Sequence, residues 1–200
     1  MALNEPSQTL DISAFKHVIV PIGVVIGLGV ARIVVSVSQY VSRWERVRFS
    51  SVHALWSFSL FLMLVGLWWI IWGLRFVDAE RWSFFTLIYL LAGPVLLFLP
   101  SIILLPDVPQ DGELDLGSVV EEAARTLFLC LAAFLLWLAF TQIYLIRESF
   151  LVPHRVGQAM ALVVLLIGAM FPSRRMAAVV GVMLLALLVA TLATVRASLY

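Results

Sequence analysis

The chain has one cysteine, Cys130, one lysine, Lys16, and charge on only 12% of its 200 residues. A lone cysteine excludes an internal disulfide, a CxxC redox pair and a cysteine-based zinc site. Soluble globular domains are about 25% charged, so half of the usual solvating surface is missing. The formal net charge of +1 offers nothing to grip a polyanion, and no nucleic-acid partner is expected. There is no HExxH, no GxSxG and no phosphate-cradling glycine loop. No catalytic residue, metal site or cofactor is therefore assigned, and the chain reads as a non-enzyme.

What the chain has is apolar length. Hydrophobic residues make up 63% of it, with a mean hydropathy of +1.08. A secreted or cytosolic enzyme does not look like this. Apolar segments near 17–39, 51–74, 83–105, 123–146, 154–171 and 174–196 approach or exceed the ~20 helical residues that cross a bilayer core. All 12 carboxylates lie outside these segments. Backbone in hydrocarbon has to satisfy its own hydrogen bonds, so the runs are helices. The expected fold class is all-α. Residues 1–200 should form a single transmembrane domain, a polytopic six-transmembrane-helix bundle with no soluble domain. The first segment lacks a signal-peptide cleavage pattern and is expected to be retained.

The joints carry helix signals. Ser42-x-x-Glu45 and Ser118-x-x-Glu121 both fit a capping box, placing helix starts in loop 1 and just before span 4. Phe171-Pro172-Ser173 separates the last two spans, and Pro94 and Pro100 should bend span 3. Side A denotes the face bearing the N-terminus and loops 2 and 4; side B bears loops 1, 3 and 5. Basic residues at the two faces balance, so orientation rests on the first hairpin. There Arg43, Arg46 and Arg48 follow span 1 while Lys16 precedes it. The reading is a multi-pass plasma (inner) membrane protein with loops 1, 3 and 5 cytoplasmic.

Aromatics mark both faces. Trp68, Trp69, Trp72 and Trp82 cluster at side A, whereas Tyr40, Trp44 and Trp56 mark side B, as interfacial anchors do. Apolar residues at 40, 41, 44 and 47 suit a short in-plane helix whose arginines reach anionic lipid. Membrane lipids are thus the first partners expected.

Two polar stripes carry the functional reading. Gly29, Arg32, Ser36, Gln39 and Arg43 share one face of span 1. Gly23, Gly27 and Ala31 form a small-residue packing face on the same helix. In span 4, Glu122, Thr126, Cys130, Ala133, Trp137, Thr141 and Tyr144 recur at steps of three and four. Trp137 lies deep, where its indole N–H needs an acceptor, so it should face protein. Spans 1 and 4 are expected to face one another, with Arg32 paired to Glu121 or Glu122. Ionisable residues within spans usually face protein or water, so these residues with Thr126 would line a vestibule on side B.

Other clusters carry less. The acidic loop 3 (Asp107, Asp111, Glu113, Asp115) has Leu116 where a calcium loop needs glycine, so it reads as a solvated loop. His17 and His154 share side A and read as interfacial residues rather than haem ligands. Two functions remain: an oligomeric passive channel entered through the vestibule, or a non-catalytic accessory or assembly subunit. The partners implied are further copies of the chain or other membrane subunits.

Overall fold

Long apolar runs with no competing polar pattern close their hydrogen bonds along the helix axis, and those among the described residues do so. A computed structural model describes residues 5–74, 82–145 and 153–197. These form α1 (Glu5–Ser42), α2 (Ser51–Gly73), α3 (Phe84–Leu104), α4 (Leu116–Tyr144), α5 (Pro153–Met170) and α6 (Arg174–Ala197). Four stretches, His17–Ser42, Ser51–Trp72, Phe84–Leu104 and Leu116–Tyr144, are long and apolar enough to cross a membrane. Arg155–Met170 is a shorter apolar helix. Each of the six helices also turns apolar side chains outward: Val24, Phe58, Phe85, Leu136, Val163 and Val182 are all more than half exposed. Water would penalise such a coat and hydrocarbon does not. This is a helical membrane protein.

The helices pack as a closed circuit, α1 on α3, α3 on α4, α4 on α5, α5 on α6, α6 on α2 and α2 back on α1. Leu60, Leu64, Leu90, Leu97, Phe128, Leu165 and Val180 fill the centre and are fully buried. The neighbours of α1 along its length are α2 and α3. The expected face-to-face pairing of spans 1 and 4 does not occur, because α3 takes that place.

Neither capping box operates. The start of α4 is capped by Asp115, whose carboxylate accepts from the Gly117 N–H at 2.7 Å. Ser118 lies one turn inside and donates to the Asp115 carbonyl. Ser42 bonds back to the Ser38 carbonyl within α1. The effective hydroxyl caps are Ser83 on α3 and Ser173 on α6, each accepting an N–H three residues on at 3.1 Å.

Loop 1 also departs from the in-plane helix. It is one 3-10 turn (Trp44–Arg46) followed by a two-residue strand, β1 (Val47–Arg48). That strand pairs in parallel with β2 (Leu114–Asp115), in the register Val47 with Leu114 and Arg48 with Asp115. Two short strands tie loop 1 to loop 3. Trp56 and Tyr40 are not interfacial anchors, since both are buried. Trp56 donates its indole N–H to the Ala177 carbonyl at 3.0 Å and joins α2 to α6. Arg75, Arg81 and Arg147, part of the charge balance, lie outside the described residues.

The α3–α4 seam is held by a reciprocal pair. Trp137 Nε1 donates to the Tyr89 carbonyl at 2.8 Å, and the Tyr89 hydroxyl donates back to the Trp137 carbonyl at 3.0 Å. The ring of Trp137 lies against Gly93, where a Cβ would collide with it. Gly93→Ala should therefore destabilise the protein by about 1–3 kcal/mol through overpacking. Gly66→Ala meets open space and should be neutral or slightly stabilising. Unfolding midpoints in graded SDS, followed by circular dichroism, test the contrast. Equal midpoints for the two variants would refute this packing.

Candidate functional site

The polar stripe of α1 leads to loop 3 rather than to α4. Helix α3 ends at Leu104, and its C-cap Leu105 is already non-helical. The last carbonyls of any helix lack intrahelical donors, and Pro106 and Pro109 bring no N–H of their own. At membrane depth such backbone is tolerated only where protein satisfies it. Helix α1 and its neighbour α2 supply the missing donors.

Arg32 donates one terminal nitrogen to the Leu105 carbonyl and the other to Asp107 Oδ1 at 2.9 Å. Ser36, fully buried, reaches the same Leu105 carbonyl at 3.4 Å. Arg32 and Ser36 are one turn apart, so the guanidinium extends about 6 Å along the helix axis to meet that oxygen. Tyr40 donates its hydroxyl to the Pro106 carbonyl at 2.8 Å. Arg43 and Arg46 donate to the Val108 and Gln110 carbonyls at 3.3 and 2.6 Å. Loop 3 thus climbs alongside the end of α1, one carbonyl per turn.

From α2, His53 Nε2 lies 2.8 Å from the Leu104 carbonyl. A carbonyl only accepts, so the ring carries its proton on Nε2. Ser57 donates to the His53 carbonyl at 2.9 Å. Arg32 also places positive charge at the negative end of the α3 dipole.

Three of the four acids of loop 3 serve structure as well. Asp107 pairs with Arg32, Glu113 pairs with Arg48 at 2.8 Å, and Asp115 caps α4. Among the described residues no cluster of His, Cys, Asp and Glu is arranged to hold a metal ion. Gly112 has φ of +98° and turns the loop in a conformation that side chains resist.

The anticipated pairing of Arg32 with Glu121 or Glu122 is corrected, since its partner is Asp107. Glu121, Glu122 and Thr126 all lie on the exposed side of α4. The α4 stripe rotates from exposed at Glu122 to buried at Trp137 and Thr141, so it is not one lining. On α1, Gln39 is half-buried. Gly29 faces Leu64 and Gly23 faces Trp68, both on α2, whereas Gly27 meets open space and Ala31 is exposed. The small-residue face is therefore split between a packed half and an outward half.

A second polar group was not anticipated. Arg155 donates to the Ala139 carbonyl at 3.1 Å, and Gln158 Nε2 donates to Gln142 Oε1 at 3.0 Å, both across the α4–α5 seam. The spacing Arg155-x-x-Gln158 signals it, but the proximity of Arg155 to a loop conceals its inward direction.

Comparison with protein families, with curated proteins and with solved structures returned no match.

Removing the Arg32 guanidinium strips donors from a buried carbonyl, and charged hydrogen bonds of this kind are worth about 1.5–3 kcal/mol. Arg32→Leu should cost that much in SDS unfolding. Asp107→Asn should cost less than about 1 kcal/mol, its side chain being 67% exposed. Glu121→Gln and Glu122→Gln should stay within about 0.5 kcal/mol. A fully tolerated Arg32→Leu would overturn the clasp.

Proposed function

We propose that this chain is a non-catalytic accessory or assembly subunit of a membrane complex. In this reading it is a single six-span domain in the plasma (inner) membrane with loops 1, 3 and 5 cytoplasmic. One observation carries the choice over a passive channel. The deep part of the stripe that would have lined a wet vestibule is bound to loop 3: Arg32 and Ser36 both bond the Leu105 carbonyl, and Arg32 also pairs with Asp107. A permeation path needs polar groups available to the permeant at depth, and Arg32 and Ser36 are occupied there.

The outward half of the α1 small-residue face supports an association role. A Cβ at Gly27 would meet nothing within 4 Å, which lets another helix approach closely. The partner is a second copy of this chain or another membrane subunit. Three arginines in loop 1, facing Lys16 across span 1, support the orientation.

Three assays on the full chain separate the readings. In a Cys130→Ser background, Arg32→Cys and Ser36→Cys should resist a membrane-impermeant thiol reagent while Glu121→Cys reacts. Mild-detergent extracts at native expression should show the chain in a discrete assembly larger than one protomer. Reconstituted liposomes should pass ions and small solutes no faster than lipid alone. A lone protomer with measurable flux, together with a reactive thiol in the Arg32→Cys variant, would restore the channel.

A further inference from the structure

Above the clasp, the loop 1 end of α1 carries two adjoining hollows. The first, about 490 Å³, is lined by Ser42, Arg43, Trp44, Glu45, Arg46 and Gln110. The second, about 690 Å³, is an apolar groove between α1 and α2 walled by Ile33, Val37, Val41, Phe49, Phe58 and Phe61 among others. Trp44 lines both, so the polar hollow and the apolar one adjoin at its side chain. The groove volume falls within the about 300–1,000 Å³ typical of small-molecule sites. From Val41 to Ile33 it follows α1 for about 12 Å, a length that takes up much of an acyl chain.

The groove wall contains polar side chains, but their donors are spent. The Tyr40 hydroxyl goes to Pro106, His53 Nε2 to Leu104 and the Ser57 hydroxyl to the His53 carbonyl. What faces the groove is hydrocarbon and aromatic surface, with Trp44 and Phe49 71% and 76% exposed.

The hollow is different. Arg43 and Arg46 each donate to a backbone carbonyl, which uses one of a guanidinium's five donors and neutralises none of its charge. By contrast Arg32 and Arg48 have carboxylate partners. The one acid on the rim, Glu45, is outnumbered two to one.

We propose that the paired hollows form a binding site for one anionic glycerophospholipid of the surrounding bilayer. Its phosphate lies between Arg43 and Arg46, and one acyl chain runs down the α1–α2 groove beneath Trp44. Charge complementarity selects the occupant: an apolar cleft alone would take any chain, whereas two arginines bonded only to peptide oxygens at its mouth, among the described residues, favour an anionic headgroup. The site requires membrane residence only and stands apart from the accessory-subunit reading.

The test uses the full chain in phosphatidylcholine nanodiscs doped with brominated phosphatidylglycerol or brominated phosphatidylcholine. Bromine quenches nearby indoles, and the Trp44 share is the difference between wild type and Trp44→Phe. Brominated phosphatidylglycerol should quench Trp44 at a mole fraction more than about ten-fold lower than brominated phosphatidylcholine, since each arginine contributes about five-fold. Arg43→Gln with Arg46→Gln should abolish that preference. Ala54→Phe, which fills the groove and keeps both arginines, should weaken quenching by either lipid. A wild-type arm needs no variant: raising salt from about 50 to about 500 mM should shrink the preference. Equal quenching by the two lipids, or insensitivity to salt, would overturn the proposal. So would relief of quenching by inorganic phosphate at constant ionic strength, which would mark a free-anion site. If Ala54→Phe reduces self-association instead of lipid quenching, the groove belongs to a second copy and the proposal falls.

Discussion

Helix α3 stops short beside a neighbour that continues. Its last turn leaves carbonyls at Leu104 and Leu105, and the prolines that follow supply no replacement donors. In water such groups would be hydrated at little cost; inside a bilayer each would cost several kcal/mol unpaired. Arg32, Ser36 and His53 meet that requirement from two adjacent helices. Much else on side B follows from it. Because loop 3 is bound along α1, it reaches β2 in register with β1, and Asp115 arrives where α4 must begin. Arg32 is thus a structural cation, held by a helix end and one carboxylate.

The same rule explains where the indoles go. Tryptophan at the interface can share its N–H with water or headgroups, but a buried indole has to find a carbonyl. Trp56 finds Ala177 and Trp137 finds Tyr89, in each case crossing to another helix. Glycines lie opposite both rings: Gly181 approaches Trp56, and Gly93 approaches Trp137. Large donor rings against glycine let helices come close while fixing their register. That supplies specificity where lipid offers no hydrophobic drive between helices.

The positions of the helices were legible because apolar length and the exclusion of carboxylates are properties of the chain itself. The stripe on α1 was legible for the same reason: positions 32, 36, 39 and 43 must share a face whatever surrounds them. Its partner was not. Helical spacing says that Arg32 needs an acceptor, yet Glu121, Glu122 and Asp107 are equally acidic on paper. Which carboxylate arrives depends on where α3 ends and how α3 intervenes between α1 and α4. The capping boxes failed for a related reason. Ser118 matched the local pattern, but Asp115 lies one turn earlier and offers a stronger acceptor, so the helix starts there. Trp56 looked interfacial by its closeness to a loop, and only the position of α6 reveals its burial.

Fixing loop 3 by carbonyls rather than by carboxylates has an electrostatic consequence. A guanidinium bonded to a carboxylate is neutralised, whereas one bonded to a peptide oxygen keeps its full charge and most of its donors. From α1 into loop 1 the partners of Arg32, Arg43 and Arg46 change in this sense. Arg32 lies deepest and meets Asp107; Arg43 and Arg46 lie near the loop and meet the carbonyls of Val108 and Gln110. The charge at depth is cancelled by Asp107, whereas of the three loop 1 arginines Arg48 meets Glu113 and Arg43 and Arg46 bond carbonyls instead. The clasp that satisfies the end of α3 therefore also holds two arginines at the mouth of an apolar groove, and the fold and the surface chemistry of side B share one origin.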